Sequence, residues 1–419
     1  MQRVNLYGRR RRSPFRAALG MVAMGVALTG CDGLLDVSLP GETPAEAVDD
    51  PIYAPILVTS AQGRFEDGYS NYAEDAGYIG GELIGGQSFL NTQHFRQRSL
   101  PLDGTDTRGN TYNFLSQARW MAEDAYARIS KLTDAQVASK NQLLGRAMLY
   151  AGFSYTLFAE GFCSAAFDLG PEVTAPAIFA LAKARFTTAL THATSANDTE
   201  TINAANVGLA RVLLQIGESQ AAVAAARKVP AGFTKIVTRS SASADRRNLN
   251  FYDNSTGTHS IDPNYWKTEW LGVADSRVPV VSANRISGDG LTPLYFQRKY
   301  TAEGSPFTLA SSIEAQWIIA EVVGGAEAVG IINARHTALG LAPFAGGTAQ
   351  QIKDQIIEER RREFFQDGHR LGDLRRFGGW EKWTDGINPF VRYEYGKNRC
   401  FPLPKVERDQ NPNVGPYKG

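Results

Sequence analysis

The stretch EERRREFFQDGHRLGDLRRFG, Glu358–Gly378, holds six arginines, three glutamates and two aspartates. Side chains of these types can do three kinds of chemistry. A one-sided array of cations grips nucleic-acid phosphates. A separated pair of carboxylates does acid–base work. Charges of both signs at helical spacing pair with one another and lock an element in place. Six positives against five negatives disfavour a phosphate track. Thr348 and Gln351 make a capping box, so a helix starts there. Ile352, Ile356, Ile357 and Phe364 then share one face, with Arg360 at its centre. Glu358 precedes Arg362 by four residues, the favourable order, and Gly368 supplies a left-handed stop. Arg360 is expected in the core beside a carboxylate, because an unpaired buried charge is costly. Glu363 belongs to the same charge network, and Arg370 with Asp373 is the expected second pair.

No other segment carries a catalytic signature: there is no H-E-x-x-H, no G-x-S-x-G and no P-loop. His94, His192, His259, His336 and His369 lack metal-ligand spacing, so no metal or cofactor is expected. The glycines of GYIGGELIGG read as turns, outside the strand–helix context of a dinucleotide fingerprint.

The elements that must position these residues are mostly helical. The chain has 419 residues, 43% hydrophobic and 21% charged, enough for a sizeable core. Its formal charge of +1 is unevenly spread: residues 1–30 hold six of the 44 basic residues and none of the 43 acids, so the remainder carries 38 against 43. An acidic body is a poor nucleic-acid surface. The first 30 residues read as a leader, with an arginine-rich start and a short apolar run, Ala17–Leu28. LTGC, Leu28–Cys31, then forms a lipobox, so Cys31 is the expected lipidation site and the mature chain is anchored to a membrane. A Pro-, Gly- and acid-rich tether runs over 31–51. Helical periodicity covers Asn113–Leu132, Ala138–Phe162, Pro176–Ala193, Ile202–Pro230 with a break at Gly217, and Ser311–Leu341 with a turn at Gly324 and Gly325. Small residues near these turns, such as Ala210 and Ala222, allow close helix pairs of tetratricopeptide type. Residues 71–110 and 231–306 have poor periodicity and read as irregular, the second rich in Tyr and Trp. Cys163 and Cys400 are expected as two isolated buried thiols, with a disulfide the alternative.

Glu358–Gly378 also resembles the C-terminal signature of the SusD/RagB family of outer-membrane nutrient-binding lipoproteins. There an Arg-rich helix runs into Glu-Gly-x-Arg and Asp-Leu-x-Arg. Here Asp367 stands for the Glu, and Gly368, Arg370, Asp373, Leu374 and Arg376 agree. CDGLLDVSLPG at Cys31 is similar to the family's start, Ser311–Leu341 with Asn333 and Arg335 to its penultimate helix pair, and FPLPKVERDQNPNVGPY to its closing segment. The resemblance implies an all-α, mostly helical fold in which tetratricopeptide-like pairs form a SusD-like α/α superhelix. One domain would span 52–419, with its scaffold at about 113–230 and 307–378 and a loop-rich ligand lobe at about 71–110 and 231–306. It implies no enzymatic activity, a cell-surface place on the outer membrane, and a SusC-like TonB-dependent transporter as partner. The 389 residues from Cys31 are short for the family, and Asp32 is a position that favours inner-membrane retention in some bacteria.

The implied ligand is an oligosaccharide. Sugars stack their C–H faces on aromatic rings, while amides and carboxylates accept from their hydroxyls. The irregular stretches then nominate Tyr252, Tyr265, Trp266 and Trp270 as rings, with Asn91, Asp253 and Asn264 as polar contacts. Phe89, Tyr72 and Tyr78 are weaker candidates. For each ring the alternative is packing of the lobe onto the helices. For the whole chain the alternative is a lipid-anchored tetratricopeptide-like scaffold with no small ligand.

Overall fold

The structure is a computed structural model that describes residues 47–88, 90–101 and 111–415. The leader, Cys31, most of the tether, Phe89 and the side chain of Asn91 lie outside them. The first long helix, α1 (Ala54–Ile79), carries Pro in its first turn, where the missing N–H costs nothing. Its second half is buried on every side by Phe65, Tyr69, Tyr72, Ala73, Ala76 and Ile79. Residues 71–79 are therefore helix rather than loop. Tyr72 and Tyr78 are core residues, with relative exposures of 0% and 1%. A helix buried all round lacks the one-sided stripe that marks an amphipathic one, which is why periodicity missed it. Gly68 lets the next long helix approach: a Cβ there would lie 3.1 Å from the Leu115 side chain.

After α1 come β1 (Leu83–Gly85), α2 (Leu90–Arg96), α3 (Thr111–Lys131) and α4 (Lys140–Gly161). The short strands β2 (Ser164–Ala165) and β3 (Val173–Thr174) precede α5 (Ala175–Ser195), α6 (Thr199–Gln215) and α7 (Ser219–Ala226). Helix α3 packs on α1 and α4, α5 on α4, α6 on α5, and α7 on α6. Asp198 caps α6 by accepting from the Thr201 N–H, and Gly217, at φ +80°, makes the α6–α7 turn. A Cβ at Gly208 would run into the Phe186 ring, so α5 and α6 touch through a glycine. The helix pairs expected from small residues are thus present.

The aromatic-rich segment that follows is built from short antiparallel pairs. It contains β4 (Thr234–Val237), α8 (Leu249–Thr256), β5 (His259–Ile261), β6 (Glu269–Trp270), β7 (Val273–Ala274), β8 (Val280–Ile286), β9 (Pro293–Gln297) and β10 (Phe307–Ser311). β1 pairs with β5, setting Leu83 opposite Ile261, while β4 pairs with β10, β6 with β7 and β8 with β9. The chain returns to helix in α9 (Ser312–Val323), α10 (Gly325–Ala338), α11 (Ala349–Glu363), α12 (Arg370–Phe377), α13 (Trp380–Trp383) and α14 (Lys405–Gln410). The fold is mostly helical. Among the described residues no helix is long and apolar enough to cross a membrane.

Cys163 and Cys400 form a disulfide, with Cα atoms 5.0 Å apart, rather than two separate thiols. The cause is a long-range backbone link: the Cys163 N–H donates to the Phe401 carbonyl at 2.9 Å, and the Phe401 N–H to the Gly161 carbonyl at 2.8 Å. That exchange sets the end of α4 beside the C-terminal segment.

Candidate functional site

The capping box at Thr348 and Gln351 is formed, and α11 carries Glu359, Arg360, Arg361 and Arg362 into buried positions. Arg360 places Nε and Nη2 on the two carboxylate oxygens of Asp373, at 2.9 and 2.7 Å. Burial alone would push Asp373 up, but Arg360 and Arg376 outweigh it and hold the carboxyl well below its usual range. Glu363 accepts both donors of Arg335, at 2.8 and 2.7 Å. The expected Arg370–Asp373 pair is not made. The chain turns at Gly368, φ +82°, so Arg370 opens α12 and faces elsewhere. Its stem packs on Gly80 and its guanidinium lies 5.2 Å from the Trp383 ring. Its charge acts on Glu82, which burial raises to about 7 against the opposing pull of the Gln366 N–H and Arg370.

The same segment reaches across to the aromatic lobe. Arg362 holds Glu358 at 2.8 Å and Asp275 at 3.2 Å, and Arg277 holds Asp275 and Glu359, both at 2.7 Å. Lys299 donates to the Phe365 carbonyl and to Asp367. Arg361 sits 4.5 Å over the Tyr265 ring and donates to the Asn264 carbonyl at 3.4 Å. His336 bridges the Ala342 carbonyl and Glu359, both at 2.8 Å. A carbonyl oxygen can only accept, so Nδ1 carries hydrogen. Burial would lower this imidazole, but the Glu359 carboxylate prevails and raises it. The arginine-rich stretch is therefore a clamp between helices and lobe.

What the clamp positions is a set of rings. Asp262 caps a single 3-10 turn at Pro263–Tyr265 by accepting from the Asn264 N–H. That turn sends neighbouring rings in opposite directions. Tyr265 points inward, 1% exposed, and stacks on Phe365 with centroids 4.9 Å apart. Trp266 stays half-buried, its Nε1–H bonded to the Ile261 carbonyl at 2.7 Å. Its indole stacks on Tyr295 at 3.8 Å and 10°, and lies 5.7 Å and 16° from Phe390. Both partners are also half-buried. Tyr295 is held on β9, where its N–H donates to Ser260 Oγ on β5. Phe390 is held by buried Asn388, whose Oδ1 accepts from the Phe390 and Val391 N–H groups at 2.9 Å. Three chain segments thus converge on one near-parallel ring stack at the edge of the lobe.

The other nominated residues are distributed differently. Asn264 is exposed beside Trp266 in the chain. Asp253 is buried on α8, 7% exposed. Tyr252 lies under the Arg247 guanidinium at 4.6 Å and does not join the stack. Trp270 docks on the helices: its Nε1–H bonds the Ala342 carbonyl at 2.7 Å and its ring meets His336 at 4.9 Å. Tyr295 and Phe390 were missed by the sequence reading. Tyr295 lies in strand β9, and Phe390 lies in the irregular segment between α13 and α14, where no aromatic pattern points to it. An Asn-Pro-Phe turn with a buried Asn is the one local signal that Phe390 is deliberately held.

No protein-family profile matches this sequence, and no curated protein does. Solved structures do match. A SusD superfamily protein from Bacteroides vulgatus superposes with a TM-score of 0.69 at 16% identity, covering 87% of this chain and 98% of its own. A SusD-like carbohydrate binding protein from the same organism gives 0.64 at 14%, with 87% and 97% covered. A laminarin binding SusD-like protein gives 0.61 at 14%, with 85% and 98% covered. At such identities the likeness is one of fold, and the fold of this chain is that of the SusD superfamily.

Proposed function

We propose that this chain is a lipid-anchored glycan-capture protein of the outer cell surface, which hands an oligosaccharide to a SusC-like TonB-dependent transporter. The Trp266–Tyr295–Phe390 stack carries the reading. These half-buried, near-parallel rings keep part of their apolar surface in solvent, where sugar C–H groups can lie, and exposed Asn264, two residues before Trp266 in the chain, is the polar candidate for hydroxyls. Further support comes from the fold, shared with proteins described as carbohydrate binding and laminarin binding. The leader over 1–30, the lipobox at Cys31 and the tether support anchoring, with 52–419 as one functional domain. The chemistry asked of the chain is binding alone, and no catalytic pair is invoked.

Trp266→Ala is expected to weaken binding of whichever oligosaccharide a polysaccharide panel identifies by at least about ten-fold, the scale of a lost ring contact. Affinity electrophoresis or calorimetry reads this, with the urea midpoint as a control on folding. Unchanged affinity in a folded variant would remove the stack from the site. The transporter is tested separately. Mild-detergent extraction of the native membrane should bring down a large β-barrel protein with this chain. Recovery of the chain alone, under conditions that preserve such complexes, would count against delivery and favour a free-standing binding protein.

A further inference from the structure

A polar cleft lies where the β4–β10 pair, the end of β9, α10 and the turn after α11 meet, and none of Trp266, Tyr295 and Phe390 lines it. Its volume is about 420 Å³, within the ~300–1,000 Å³ typical of small-ligand clefts. Four cations, Arg277, Arg298, Lys299 and Arg335, face two carboxylates, Glu363 and Asp367. Three of the cations are already held: Arg335 on Glu363, Lys299 on Asp367 and Arg277 on Asp275. Arg298 differs. Its guanidinium is exposed, and among the described residues no carboxylate pairs with it. Its backbone N–H bonds the Pro279 carbonyl at 2.7 Å, which holds the chain at this point, and its guanidinium lies 4.9 Å from the Phe296 ring.

We propose that this cleft binds a small hydroxylated carboxylate, the chemistry of an acidic sugar such as a uronate. Arg298 offers a planar two-donor fork that matches a carboxylate. The hydroxyls of Thr234, Ser276 and Thr308 line the same walls and can meet sugar hydroxyls. Glu363 and Asp367 already accept from Arg335 and Lys299, so Arg298 is the donor left for a single carboxylate, and the remaining polar wall suits hydroxyls rather than a second anionic charge. A mixed-sign, hydroxyl-lined wall with one unpaired guanidinium therefore favours a singly charged polyol. The assignment does not depend on the ring stack: it holds whether or not Trp266 binds glycan.

The test is calorimetry on the full-length chain in detergent at low salt, with galacturonate, galactose and inorganic phosphate as probes. Galacturonate should bind at one site, with galactose and phosphate weaker by at least about ten-fold, the scale of one charge-assisted hydrogen bond. Arg298→Glu should abolish galacturonate binding without moving the urea midpoint, because Arg298 is exposed. Trp266→Ala should leave it unchanged. The proposal is overturned by equal galacturonate affinity in the Arg298→Glu variant, or by phosphate binding as tightly as galacturonate. Loss of galacturonate binding in Trp266→Ala would overturn it too, as would absence of binding up to about 10 mM.

Discussion

Arg360→Ala is expected to cost about 3–5 kcal/mol of unfolding free energy, the range found when one partner of a buried ion pair is removed. Both Arg360 and Asp373 are buried, at 3% and 4% relative exposure, and two hydrogen bonds join them. Truncation leaves Asp373 in the core with Arg376 alone, 3.1 Å away. Urea unfolding should show an earlier midpoint at an unchanged slope. Arg360→Met with Asp373→Leu should recover much of the loss, since a packed apolar pair avoids burying charge. A single variant within about 1 kcal/mol of the parent would mean the pair contributes little beyond an ordinary surface contact. The sign with pH follows from Asp373, whose folded-state value is depressed. Its contribution is fully present above the unfolded value of 3.8 and fades as pH falls through the lower folded one. Arg360→Ala should therefore move the acid-unfolding midpoint to higher pH.

Breaking the Cys163–Cys400 disulfide is the second large effect. Its partners are separated by 237 residues, and cross-links of long loops contribute about 2–5 kcal/mol. What it reinforces is already ordered by other contacts. The Phe401 ring meets Phe162 at 5.2 Å and Tyr72 at 6.2 Å. Arg375 donates to the carbonyls of Ala159, Glu160 and Phe162, so it closes the C-terminus of α4. Cys163→Ser with Cys400→Ser is expected to keep the fold and lose that stability, most of it through a freer unfolded chain. Adding reductant to the parent should reproduce the loss and leave the double variant unmoved. A parent whose urea midpoint ignores reductant would show that the bridge adds nothing.

The ion-pair clamp and the ring stack differ in how far they could be read from the chain. The capping box and the Glu358–Arg362 pair are local, three or four residues apart, and each formed where spacing placed it; the helix itself ends at Glu363, five residues before the Gly368 expected to stop it, because residues 364–368 form a separate turn. Helices expected at Asn113–Leu132 and Ala138–Phe162 formed at Thr111–Lys131 and Lys140–Gly161. One-sided periodicity is a local consequence of burial, so it survives in sequence. The fully buried end of α1 has no such stripe and was read as irregular. Arg360 in the core was likewise legible, because it sits amid the apolar face. Its partner was not: Arg370 is nearer to Asp373 in sequence, yet the turn at Gly368 gives Asp373 to Arg360.

By itself, then, the sequence determined the helical scaffold, the buried arginine face and the loops rich in rings. The tertiary structure alone decided which charges pair, that Cys163 meets Cys400, and that Trp266 rather than Tyr265 stays at the surface. It also decided that Trp266 meets Tyr295 and Phe390, residues 29 and 124 positions further on. The physical reason is the range of the forces. Capping and helical spacing act within a turn or two, whereas ring stacking and ion pairing depend on which distant segments packing has brought within a few ångströms.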